Sequence, residues 1–272
     1  VGNTASPVNA GNISNTGLEF EIGWQDHIGD FSYGVRGNIS TIKNKVTYIH
    51  ETLDAIDGQS FHTYGAITRF EVGKPAWYFY GYKYTGIDEA TGNPTFADLN
   101  DDNAITEADK TMIGKGIADM TYGITLTAAW KGLDLIVFGT GSYGAHIYSC
   151  LNRPDYTLNK LTYFVEDRWT PSHTKASMPR AGATDMDKYY TSSASVFDGS
   201  YFKIKQIQLG YTFPQKWMKT IKVSNLRVYA SLDDFFTFSD YPGFDPEVTN
   251  MGVDKGTFPT SKKVVAGVSI TF

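Results

Sequence analysis

The chain has 272 residues, 24 Lys+Arg against 29 Asp+Glu, and a formal net charge of −5 at pH 7. That balance, with no basic cluster, excludes a nucleic-acid surface, which needs a positive stripe to displace counterions, and a single cysteine, Cys150, excludes a disulfide framework and any multi-cysteine metal site. Aromatic residues are abundant at 15% and charged ones scarce at 19%, where a soluble domain carries about 25% charge; no apolar run reaches the ~18–20 residues of a spanning helix.

Val1-Gly2-Asn3-Thr4 has neither a basic nor an apolar leader, which reads as a mature or truncated chain. The first structural signal is alternation. Leu18, Phe20, Ile22 and Trp24 alternate with Glu19, Glu21, Gly23 and Gln25, the period-two pattern of a strand with one apolar and one polar face. After a short turn at 26–30, Phe31, Tyr33, Val35 and Ile39 repeat it against Ser32, Gly34, Arg36, Asn38 and Ser40.

A long connection follows, at about 47–117. It carries a dense aromatic run in which Trp77, Tyr78, Tyr80 and Tyr82 are the candidate substrate or partner contacts. Such side chains stack on sugar rings or anchor a partner protein, and they equally pack a large loop on itself. Farther along, Asp98-Leu-Asn-Asp-Asp-Asn-Ala-Ile-Thr-Glu-Ala-Asp109 has the spacing of a calcium loop. Asp98, Asn100 and Asp102 take positions one, three and five, the Ala104 carbonyl position seven and Asp109 position twelve, so that oxygens converge as a hard cation requires. Asn103 stands where such loops carry glycine, a substitution that a left-handed backbone tolerates. A structural Ca2+ (or Mg2+) in the 98–109 loop is the expectation, and an acidic turn closed by its own hydrogen bonds is the alternative.

The third strand alternates Tyr122, Ile124, Leu126, Ala128 and Trp130 with Thr121, Gly123, Thr125 and Thr127. A tight turn at Lys131-Gly132 leads to a strand over 133–148. Within it, Gly139-Thr-Gly-Ser-Tyr-Gly144 has the glycine spacing of a dinucleotide fingerprint, which requires a helix opening at the third glycine; Ala145–Tyr148 instead reads as a continuation of the strand. After a second long connection, 150–199, the segment 201–213 reads as a strand that stops at Pro214, which has no N–H for a ladder. Beyond a connection at 214–223, Leu226, Val228, Ala230 and Leu232 alternate with Asn225, Arg227, Tyr229 and Ser231. A third long connection, 237–261, precedes Val264, Ala266, Val268, Ile270 and Phe272.

The fold class is therefore all-β, with about seven strands of roughly 10–16 residues. Soluble strands average about 5–6 residues, whereas a tilted membrane strand needs about 9–11. Short and long connections alternate along the chain, which places them on opposite sides of an antiparallel sheet, as in outer-membrane barrels. Seven strands leave two unpaired edges, costly in lipid, so the sheet is expected to pair with more strands. The five histidines (27, 50, 62, 146, 173) form no metal-spaced pair and no Gly-x-Ser-x-Gly elbow is present. Acidic pairs such as Glu19/Glu21 and Asp233/Asp234 read as hydrated carboxylates rather than an acid/base pair. Neither an enzyme nor an organic cofactor is expected.

Four stretches resemble the carboxy-terminal part of SusC/RagA-family TonB-dependent outer-membrane transporters: Asn15–Trp24; Phe79–Ile87; Phe96–Asn103, continuing through Asp109–Gly114 to Trp130–Leu135; and Tyr201–Pro214 with the terminal Ser269–Phe272. The resemblance implies a twenty-two-stranded barrel with a plug domain absent from this chain, coupled to TonB through the missing amino-terminal part. It implies as partners the remainder of the transporter chain, a SusD-like lipoprotein, outer-membrane lipids and an oligosaccharide or peptide cargo. Strand parity then puts Phe272 in the periplasm, Val1 outside the cell and the loops 47–117, 150–199 and 237–261 on the extracellular side. The competing reading is a soluble calcium-stabilised carbohydrate-binding β-domain.

Overall fold

The computed structural model describes residues 9–152, 160–218, 223–247 and 250–272; Val1 lies outside them. Seven long strands form one antiparallel sheet: β1 (Glu19–Ile28), β2 (Phe31–Thr41), β3 (Met120–Trp130), β4 (Leu133–Tyr143), β5 (Tyr201–Thr212), β6 (Asn225–Ser239) and β7 (Lys263–Thr271). Each pairs only with its neighbours in chain order, so the sheet is a simple meander from β1 to β7. The alternation sets its register. Trp24 lies opposite Val35, Val35 opposite Leu126, and the row continues through Val137, Ile207 and Leu232 to Val264. One apolar side chain from every strand thus lines a single transverse row.

No member of that row is buried; Trp24 is 65% exposed and Leu126 41%. The opposite face carries Gln25, Gly34, Thr127, Ile136, Gln208, Ser231 and Val265 in register, polar or small at all but Ile136 and Val265, with the cross-strand ion pairs Arg36–Glu21 and Arg227–Asp134. Aromatic rows bound the apolar band at both ends. At the end of the short turns, Phe31, Trp130 and Tyr211 lie in linked registers. At the other end the rings of Tyr122, Phe202 and Phe238 stack in sequence at 6.1 and 6.3 Å. Gly141 permits the first of these stacks, because a Cβ there would fall 2.3 Å from the Tyr122 ring.

The short connections are a turn at Gly29-Asp30, a turn at Lys131-Gly132 with both residues at positive φ, and a segment holding the helical turn Gln215–Met218. The long connections span 42–119, 144–200 and 240–262; the first starts earlier than the sequence reading because Lys43–Ile49 pairs with Gly11–Thr16 in a separate sheet, and the third starts later because β6 extends to Ser239. One expectation needs correction. The strand read over 133–148 ends at Tyr143; Gly144 turns the chain at φ +80°. His146–Ser149 then pairs with Val196–Asp198 and Val253–Asp254 in a separate three-stranded sheet. Alternation continues through the turn, so period two alone does not report the change of sheet.

The hydrophobic core lies in the long connections. Among the described residues, no buried hydrophobic side chain belongs to β1–β7. Phe61, Ile67 and Phe79 from 42–119 meet Tyr148, Cys150, Phe164, Tyr189 and Tyr190 from 144–200, and Val253 from 240–262, in one cluster. Small sheets brace it, including Ala55–Asp57, Thr68–Glu71, Tyr78–Tyr82 and Lys110–Gly114 in one four-stranded unit. The molecule is a bare curtain of strands with a packed cap at one end.

Candidate functional site

The four aromatic candidates lie on or beside the Tyr78–Tyr82 strand, Tyr78, Tyr80 and Tyr82 at one parity and Trp77 at the other, and they meet different surroundings. Tyr78 and Tyr82 are 2% and 4% exposed and pack the cap. The Tyr78 hydroxyl donates to Glu71 Oε2 at 2.5 Å, and burial with the nearby carboxylate pushes that phenol well above its ordinary pKa. The Tyr82 hydroxyl donates to Glu107 Oε1 at 3.3 Å. Tyr80 is half-buried, with the Arg69 guanidinium 3.6 Å above its ring and Asp57 holding Arg69 at 2.8 Å. Trp77 is half-buried at positive φ, its ring 5.3 Å from that of Phe70. The structure therefore separates the set: Tyr78 and Tyr82 build the cap, and Trp77 and Tyr80 keep part of their rings at its surface.

The acidic loop is closed by its own hydrogen bonds. Asp101 and Asn103 take left-handed conformations, φ 59° and 65°. Asp98 accepts from Asn103 N at 2.7 Å and Asp102 N at 3.3 Å, Asn100 Oδ1 from Asp102 N at 3.1 Å, and Asp102 Oδ1 from Ala104 N at 2.8 Å. Asp109 behaves differently. It is fully buried, and its two oxygens accept Thr106 N and Leu99 N at 2.8 Å each; these donors hold its pKa below the ordinary carboxylate value. The candidate donors Asp98, Asn100, Asp102 and the Ala104 carbonyl are all oxygen, a set that suits a hard divalent cation. Asp109 is the clamp that closes the loop. Among the described residues, no group of three or more His, Cys, Asp or Glu side chains is arranged to hold a metal ion.

A third constellation was not visible in the sequence. Lys203 projects from the hydrated face of β5 and is 2% exposed. Its Nζ donates to both oxygens of Asp245, at 3.0 and 3.1 Å, and to Glu247 Oε2 at 2.7 Å. Lys205 reaches the same Glu247 oxygen at 2.6 Å and Asp234 at 3.2 Å. Asp245 Oδ2 also accepts Thr260 N at 2.9 Å. Burial disfavours the charged forms of Asp245 and Glu247, yet the backbone donors and the two ammonium groups outweigh it, and both carboxyls sit below their ordinary values. The cluster fastens both ends of the 240–262 connection to the wall. Its sequence signal, Lys203 and Lys205 at one parity opposite an Asp-Pro-Glu in a loop, has no fixed spacing to search for.

No protein-family model matches the chain. TonB-dependent receptor P3 of Formosa agariphila is 30% identical over 295 residues, covering 97% of this chain and 29% of that protein. TonB-dependent receptor SusC of Bacteroides thetaiotaomicron is 27% identical over 278 residues, again covering 97% of this chain and 27% of that protein. The chain is a SusC/RagA-like TonB-dependent transporter sequence. It spans less than a third of the length of either relative. The fold of this SusC/RagA-like chain agrees: the structure of the RagAB peptide transporter superposes with a TM-score of 0.82 at 22% identity, over 97% of this chain and 29% of that one. The RagAB peptide importer in its 'closed-closed' state gives 0.81 at 23% identity, over 97% and 30%. The seven-stranded sheet has the fold of a fragment of a TonB-dependent barrel.

Proposed function

We propose that this SusC/RagA-like chain forms wall and outer loops of an outer-membrane, TonB-dependent active importer of oligosaccharides or peptides that works with a SusD-like surface lipoprotein. In this reading TonB and the plug act through other parts of the transporter, the packed cap faces the outside of the cell, and Phe272 faces the periplasm. The observation that carries it is the transverse row Trp24–Val35–Leu126–Val137–Ile207–Leu232–Val264, apolar on every strand and buried on none, with a more polar row at the opposite parity. A soluble protein does not leave seven strands of apolar side chains open to water. The aromatic rows support the same reading. Tyr122 and Trp130 are eight residues apart on one strand, ~27 Å at about 3.4 Å per residue, or roughly 19–22 Å across a membrane at barrel tilts.

Cysteine accessibility tests this. Leu126→Cys and Val137→Cys in the membrane-embedded transporter should react with a lipid-soluble maleimide and resist a water-soluble one, while Thr125→Cys and Gln208→Cys do the reverse; the native Cys150 is buried and contributes little background. Equal reaction of both parities with the water-soluble reagent, or release of the protein from membranes without detergent, favours the soluble carbohydrate-binding domain instead. For the 98–109 loop, the all-oxygen donor set and its left-handed turns favour a structural Ca2+ held by Asp98, Asn100, Asp102 and the Ala104 carbonyl.

A further inference from the structure

We propose that Trp77 and Met251 form the walls of a pocket that receives one apolar side chain of a peptide cargo. The proposal rests on the importer reading and narrows its cargo. A shallow cavity of about 300 Å³ in the cap is lined by Gly58, Gln59, Thr68, Trp77 and Met251. Its walls come from two connections distant in sequence, 42–119 and 240–262, so it exists only once the cap has assembled.

Both large wall residues sit in left-handed backbone, Trp77 at φ 56° and Met251 at φ 57°. Bulky side chains seldom adopt that conformation, and where they do the surrounding structure must enforce it. Glycines make room for both residues here. A Cβ on Gly58 would fall 2.7 Å from two carbons of the Trp77 ring, and one on Gly116 would overlap the Met251 carbonyl oxygen. The Trp77 ring is therefore seated against one glycine with Phe70 beside it, and the Met251 backbone against another. Two contacts that admit no side chain thus bring an indole and a methionine to one space, and Met251 remains 49% exposed.

The lining chemistry selects the occupant. None of the five residues is charged, and their polar side chains are Gln59 and Thr68. Thr68 Oγ1 already accepts Gln59 N at 2.7 Å and is buried. A pyranose would bring several hydroxyls, each needing a partner once desolvated. A leucine, methionine or phenylalanine side chain needs none, and a flexible thioether facing an aromatic ring adapts to its shape. The peptide backbone would lie outside the cavity, where its polar groups stay hydrated.

The test uses the complete transporter with its lipoprotein partner, titrated calorimetrically with Ala-Leu-Ala, Ala-Phe-Ala, Ala-Ala-Ala and maltotriose, alongside uptake of the same solutes by cells. The Leu and Phe peptides should bind about tenfold more tightly than Ala-Ala-Ala. Met251→Glu should reduce them to the Ala-Ala-Ala level, and Met251→Leu should retain the preference. Equal affinity for all three peptides, a preference that survives Met251→Glu, or maltotriose binding that Met251→Glu weakens would each overturn the proposal. Peptide uptake without side-chain preference fails the pocket alone; uptake of neither peptide nor sugar fails the importer reading beneath it.

Discussion

At the scale of single residues, Asp109 shows how a position that resembles a ligand is bound into the backbone. Its carboxylate closes the loop by accepting Leu99 N and Thr106 N, while the Thr106 side chain caps the short turn that follows. Asp109→Ala leaves the Leu99 and Thr106 amides without their carboxylate acceptor and should accelerate amide exchange over 98–110 while the seven strands keep their protection. Added Ca2+ should slow exchange over 98–104 in the native chain and leave Asp98→Ala unchanged; no response in the native chain would remove the metal and leave the hydrogen-bonded turn. The pKa of Asp109 is lowered by folding, so its contribution is present above the unfolded value of about 3.9 and disappears as pH falls through the lower folded value. The loop's existence is legible in its spacing. Which carboxylate faces inward is not, because spacing records positions and the backbone donors that claim Asp109 depend on the turn's left-handed residues.

Among elements, strands and connections differ in what their sequences reveal. Strands β1–β7 are readable because one face meets a single kind of surrounding, so every second residue carries the same information. The cap is unreadable because its contacts join residues far apart: Phe61 stacks on Tyr190 at 5.6 Å, and Lys203 meets acids 42 and 44 positions away. The same distinction explains Tyr78 and Tyr82, whose aromatic density gave contact with a ligand and contact with the cap equal standing. Lys203 offers a sharp check on the junction between the two. Lys203→Met leaves Asp245 and Glu247 facing one another with only Lys205 in support, and breaking a buried pair from one side costs about 3–5 kcal/mol. Hydrogen exchange over 240–262 should rise sharply, and the added variant Asp245→Asn should restore part of the protection. Acid should loosen the same connection in the native chain. Both carboxyls are held below their ordinary values, so their stabilisation persists above the unfolded values near pH 4 and fades as pH drops through the folded ones.

For the whole molecule, the surroundings of the sheet are inverted relative to a soluble domain: the buried core is in the connections, and the regular strands carry apolar residues outward. If hydrocarbon covers that face, the penalty for a charge depends on depth. An arginine at the bilayer midplane costs roughly 2–4 kcal/mol and one near the interface about 0–1. Leu126 lies in the central row, Trp130 in the aromatic row beside the short turns, and Thr127 on the hydrated face. In refolding into lipid vesicles, Leu126→Arg should therefore lower stability by the larger amount, Trp130→Arg by little beyond its lost aromatic contacts, and Thr127→Arg least. A soluble sheet predicts another order, since Leu126 and Trp130 are similarly accessible there, at 41% and 50%, and an exposed charge costs little in water. Equal losses at Leu126 and Trp130 would thus count against a bilayer, and a gradient from centre to rim would measure its thickness along β3.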